Sequence, residues 1–265
     1  MSIDYKQEIY PMETYSSSMW LDDDKFGRIR RWFKKELPVF LGEFVGTFMF
    51  LFFAFAGTQI AADSTPPNPL LAIDQPIPPN PAKLLYISFA FGFSLLVNVA
   101  IFADVSGAMF NPAVTLTMWA IGNIRWERAI HAVIAQLLSA IIAAFSASAM
   151  LPSKLAVATT VNEKTTSVSQ GFFLEIFMTA QLILAILMVP SGPSKPMYCG
   201  FALFIAQLAG IYSTGASLNP VRSLGPIAVV GAQSSDWIYI LGPIFGAGMA
   251  TGIYKLVALT PTDGK

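Results

Sequence analysis

The sequence predicts an all-α membrane protein with six transmembrane helices and two re-entrant half-helices, laid out as an inverted repeat. Three observations carry that expectation. With 54% apolar and only 12% charged residues and a mean hydropathy of +0.59, the chain is too apolar for an ordinary soluble domain. Its apolar residues gather into six runs with almost no charge. Two pairs of similar segments recur, one member in each half, which is the mark of an internal repeat.

The runs are Phe44 to Ala62, Leu84 to Ala103, Ala129 to Ser153, Ile176 to Ser194, Pro196 to Val221 and Trp237 to Tyr254. Each is close to the roughly 20 residues that a helix needs to cross a hydrocarbon core. Residues 1–35 form a polar tail without the apolar core of a signal peptide, so the first run reads as a retained span. An even number of spans puts both ends on one side. Arg28, Arg30, Arg31, Lys34, Lys35, Arg125, Arg128, Lys195 and Lys255 flank the spans on that side, against Lys83, Lys154 and Lys164 on the other. The positive-inside rule then makes both termini cytoplasmic. The basic cluster before the first span reads as a topology signal and not as a lipid-recognition patch. Zero net charge gives no sign of a nucleic-acid partner, and the lone Cys199 leaves the redox compartment unread. The segment Ser64 to Ala82 holds seven prolines and is expected to be an extended, partly stiff loop on the outer face.

The repeat is explicit in the residues. Leu41-Gly-Glu43-Phe-Val-Gly-Thr47 reappears as Phe173-Leu-Glu175-Ile-Phe-Met-Thr179. Ser106-Gly-Ala-Met-Phe-Asn111-Pro112-Ala113 reappears as Thr214-Gly-Ala-Ser-Leu-Asn219-Pro220-Val221. The first unit covers about residues 37–151 and the second about 169–258. An odd number of spans in each unit forces opposite orientations, related by an axis in the membrane plane.

The segments that begin at Asn111 and Asn219 are apolar but too short to cross, so they read as half-helices lining a cavity. Asn at the cap and Pro at the first helical position mark a helix start. Inverted symmetry brings the two starts together at mid-membrane, where their positive dipole ends oppose cations and protons. The carboxamides can cap backbone amides through oxygen and donate to a passing water through nitrogen. Glu43 and Glu175, symmetric intramembrane carboxylates, read as acceptors that hold the re-entrant loops in place.

These paired boxes, with their Ser-Gly-Ala and Thr-Gly-Ala leaders, resemble the aquaporin, or major intrinsic protein, family over about residues 37–258. The resemblance implies the aquaporin fold over a channel domain of residues 36–260, with a short cytoplasmic end at 261–265, and usually a homotetramer with one pore per protomer. It also implies a selectivity filter made of Phe91, Gln207, Ala216 and Arg222, placed by their spacing from the boxes. Two residues depart from the pattern: Gln207 stands where water-selective members usually carry His, and Val221 where Ala is usual. Ser223 stands where glycerol facilitators typically carry Asp. The implied function is passive water conduction through a lipid bilayer, that of the plasma membrane, with protons and ions excluded. The alternative is a wider channel for glycerol, hydrogen peroxide or ammonia.

Three further readings concern regulation. Tyr10 and Tyr15, with Tyr5 and Trp20, form a candidate plug for the inner mouth, similar to long-tailed fungal-type aquaporins. Ser106 is a candidate phosphorylation switch, although Asp104 would repel a phosphate. His131 reads as structural. With no nucleophile and base pair and no metal-ligand cluster, neither catalysis nor a cofactor nor a metal is expected.

Overall fold

Helix starts in this chain are set by local chemistry. Asn80 accepts from the Lys83 amide ahead of Pro81. Ser167 and Gln170 form a reciprocal capping box, and Asn111-Pro112 and Asn219-Pro220 open two short helices. The computed structural model describes residues 25–65 and 78–259. In chain order its helices are α1 (Lys25–Asp63), α2 (Pro81–Ser106), α3 (Pro112–Ala120), α4 (Trp126–Met150), α5 (Val168–Met188), α6 (Lys195–Thr214), α7 (Pro220–Val230) and α8 (Ile238–Leu259). Six of these, α1, α2, α4, α5, α6 and α8, are long and apolar enough to span a membrane. At 9 and 11 residues, α3 and α7 are not.

Several boundaries differ from the sequence expectation. Residues 25–35, assigned above to the tail, are helical and continuous with the first span. Their Arg and Lys residues are good helix formers, so polarity ends the membrane segment without ending the helix. The Ser167 box starts α5 ahead of the apolar run, which Val189 and Pro190 close early. Gly215, at φ 77°, ends α6 in the left-handed conformation. The expected run to Val221 therefore joins a span, a re-entrant loop and the start of α7. Tyr10, Tyr15 and most of the proline-rich loop lie outside the described residues.

The halves interlock. Within each, α1 packs on α2 and α4, and α5 on α6 and α8; between them α2 meets α6, α3 meets α8 and α7 meets α4. Each half-helix therefore lies against a span of the other half. Small residues allow the close approach, as is common between membrane helices. A Cβ on Gly200 would meet the Gly92 carbonyl at 2.6 Å, and one on Gly225 the Ala140 carbonyl at 2.5 Å. Polar ties finish the ends. Glu36 pairs with Arg128 at 3.0 Å, and Lys255 donates to the Ala120 carbonyl at 3.0 Å, placing a cation at the negative end of α3.

Candidate functional site

The two re-entrant loops have the same backbone and the same anchor. Ala108 and Phe110 in one, and Ala216 and Leu218 in the other, all have φ between 46° and 55°. Left-handed conformations in L-residues cost roughly 1–2 kcal/mol each. They persist because each loop turns two successive amides onto a buried carboxylate. Glu43 accepts from Met109 and Phe110 N–H, both at 2.9 Å, and from Ser106 Oγ at 2.8 Å. Glu175 accepts from Ser217 at 3.0 Å, Leu218 at 2.8 Å and Thr214 Oγ1 at 2.7 Å. The first anchor has a fourth donor, Gln136 Nε2 at 2.7 Å. In the second half, Tyr239 donates instead to the Thr214 carbonyl at 2.8 Å.

The loops deliver Asn111 and Asn219 to one place. Each Oδ1 caps its own half-helix, on Ala113 N–H at 2.9 Å and Val221 N–H at 3.1 Å. Each Nδ2 donates across the repeat, Asn111 to the Leu218 carbonyl at 2.8 Å and Asn219 to the Phe110 carbonyl at 2.9 Å. A carboxamide has two N–H donors, so one remains on each side chain.

Both asparagines line a cavity of about 630 Å³. Asp104, Ser191, Lys195 and Cys199 line it toward one end, and Phe91 and Arg222 toward the other. The Arg222 Nη1 donates to the Val157 carbonyl at 2.7 Å. Its Cζ lies 4.8 Å from the Phe91 ring centroid and 5.5 Å from that of Phe55, within the range of cation–π attraction. Gln207 and Ala216 are fully buried and adjoin one another, with Gln207 Nε2 donating to the Ala216 carbonyl at 2.9 Å. Among the described residues, Gln207 Oε1 has no protein partner.

Comparison with known proteins fits this geometry. The family model described as major intrinsic protein matches residues 32–254. The chain belongs to that family. Among similar curated proteins, "Probable aquaporin-3" of Gibberella zeae is 40% identical over 86% of this chain and 80% of its own length. "Aquaporin-2" of Botryotinia fuckeliana is 42% identical, over 84% of this chain and 60% of its own length. "Aquaporin-7" of the same organism is 43% identical, over 83% and 49%. The chain thus spans about half the length of several curated relatives it matches. In fold it is similar to the aquaglyceroporin from Plasmodium falciparum, with a TM-score of 0.72 and 23% identity, covering 84% of this chain and 97% of that one.

Within this major intrinsic protein, the contacts of two expected site residues bear on their roles. Ser106 is buried, donates to Glu43 and accepts from the Ala108 amide. It is part of the loop anchor, so a phosphate there would have to break the anchor and displace the loop. Gln207 has one amide hydrogen committed to Ala216, which leaves its second N–H and, among the described residues, an oxygen without a protein partner. Sequence reasoning missed three contributors: Phe55 against Arg222, Gln136 on Glu43, and Gln59, whose oxygen accepts from the Ala156 amide at 2.7 Å. A signal was present for the last two. Each is a polar side chain within an apolar span, which is a functional or structural flag by default.

Proposed function

We propose that this major intrinsic protein is a passive water channel that excludes protons and ions. The observation that carries the reading is the crossed asparagine pair. Each side chain keeps one free N–H where the N-termini of α3 and α7 converge, beside a cavity that both asparagines line. A water accepting from both donors turns its own hydrogens away and breaks a proton wire. The two helix termini add positive potential against cations. Arg222, against Phe91, supplies fixed donors and a second positive barrier at the end of the cavity. Ser223 in place of an acidic residue favours water over glycerol. Both termini on the cytoplasmic side, the plasma membrane as the site, a homotetrameric assembly and a plug formed by Tyr10 and Tyr15 belong to the same proposal.

Stopped-flow shrinkage of proteoliposomes in sucrose, then in glycerol, tests it. Fast water efflux with glycerol flux near background is the expected result. Arg222→Val should raise the passage of larger solutes or of ions, and unchanged exclusion in both solute and conductance assays would remove Arg222 from the filter. The second reading, a channel for glycerol, hydrogen peroxide or ammonia, draws on the small Ala216 and on Gln207 in place of an imidazole. It wins if the unmodified protein passes glycerol at a rate comparable to water and Gln207→His abolishes that flux.

A further inference from the structure

Arg222 is also met from an element that spacing from the Asn-Pro boxes does not reach. On α1, Leu51, Phe55 and Gln59 follow at helical spacing on one face and are all buried. Phe55 presents its ring to the Arg222 guanidinium at 5.5 Å, in addition to Phe91 at 4.8 Å. Gln59, one turn on, fastens the segment that supplies the other contact of the arginine. Its Nε2 donates to Ser153 Oγ at 2.9 Å and has the Asp63 carboxylate at 3.0 Å and the Lys154 carbonyl at 3.2 Å to share its second hydrogen, and its Oε1 accepts from the Ala156 amide. The next residue is Val157, whose carbonyl accepts from Arg222 Nη1 at 2.7 Å.

A buried guanidinium needs its charge met and its flat fork held. Planar aromatic faces and carbonyl oxygens do both. Among the described residues Arg222 Nε has no protein partner, and the two rings and the Val157 carbonyl hold the guanidinium. Phe91 lines the cavity, whereas Phe55 meets the guanidinium from α1; whether it acts through the arginine or by its own size is what the double variant below separates.

We propose that Phe55 is the positioning residue for the Arg222 guanidinium and that Gln59 sets the position of its carbonyl partner, so that α1 decides how tightly the filter excludes solutes larger than water. The proposal rests on the reading of Arg222 as a filter residue. Loss of one desolvated cation–π face shifts the balance between held and displaced guanidinium on the order of tenfold. The displaced form leaves a wider opening.

The test is the glycerol-to-water permeability ratio of the full chain in proteoliposomes, read with a melting curve for each variant. Phe55→Leu should raise the ratio about tenfold, Gln59→Met should raise it several-fold, and Phe55→Tyr, which keeps the ring, should leave it as it was. In an Arg222→Val background, Phe55→Leu should add nothing. An unchanged ratio in Phe55→Leu, alongside a raised one in Arg222→Val, overturns the positioning role. So does a further rise on adding Phe55→Leu to Arg222→Val, because Phe55 would then act by size alone. If Phe55→Leu does not fold, Phe55→Met carries the same two comparisons. No change in Arg222→Val marks a different failure, that of the filter reading itself.

Discussion

Glu43 is fully buried in the apolar interior and survives there because four donors converge on it. Glu43→Gln puts an amide where the backbone of Met109 and Phe110 needs an acceptor. One of those N–H groups is then left facing a donor, at a cost of about 1–3 kcal/mol for an orphaned buried group. The melting temperature in detergent should fall accordingly, and water flux per folded protomer should fall with it as the loop loses its hold on Asn111. Glu175→Gln should act in the same direction through Ser217 and Leu218. At this scale legibility followed duplication. Asn111, Asn219, Glu43 and Glu175 could be read as a set because each has a counterpart in the other half. Phe55, Gln59 and Gln136 have no such counterpart in the sequence comparison, and their partners lie far along the chain, so only the fold could assign them.

The six spans were legible as elements because apolar length is itself the physical requirement for crossing a membrane, whereas their ends were not. A charge-free run does not stop where a helix stops. Gly215 ends α6 by its backbone conformation, and the basic stretch of α1 continues a helix past the point where apolar residues give out. The contact between α7 and α4 gives a prediction at this scale. A Cβ at position 225 would sit 2.5 Å from a backbone oxygen that cannot step aside. Gly225→Ala should therefore push α7 off α4, lower stability by about 1–3 kcal/mol and shift Arg222, one turn earlier on the same helix. A fall in melting temperature together with altered glycerol exclusion is expected. Gly248→Ala on α8, where an added Cβ meets nothing within 4 Å, should be neutral or stabilising by about 0.5–1 kcal/mol.

Across the whole molecule the repeat builds two equivalent ends and furnishes them with different side chains. The register that pairs Asn111 with Asn219 also pairs Phe91 with Cys199, Gln207 with Val99, Ala216 with Ala108 and Arg222 with Val114. Val99, Ala108, Val114 and Cys199 all line the cavity. The same scaffold therefore carries an aromatic and a cation at one end and small apolar groups at the other. The inverted arrangement was legible from the odd number of spans per half. The exchange of half-helices between halves was not, since nothing in the spacing says that α7 rests on α4 and α3 on α8.

The crossed asparagines also set a timetable for the chain as it is made. The Asn111 side chain must wait for a carbonyl 107 residues downstream, and at about 5–20 residues per second of synthesis that is roughly 5 to 20 s. Until Leu218 arrives, the first half sits in the bilayer with a finished loop and an unmet amide at its tip. Residues 25–166 expressed alone should therefore be short-lived in a pulse-chase experiment. Co-expression with 167–259 should lengthen that lifetime, because each fragment brings the carbonyl that the other lacks. Slowing the ribosome over the second half should have the opposite effect, lengthening the interval in which quality control can recognise an incomplete pore.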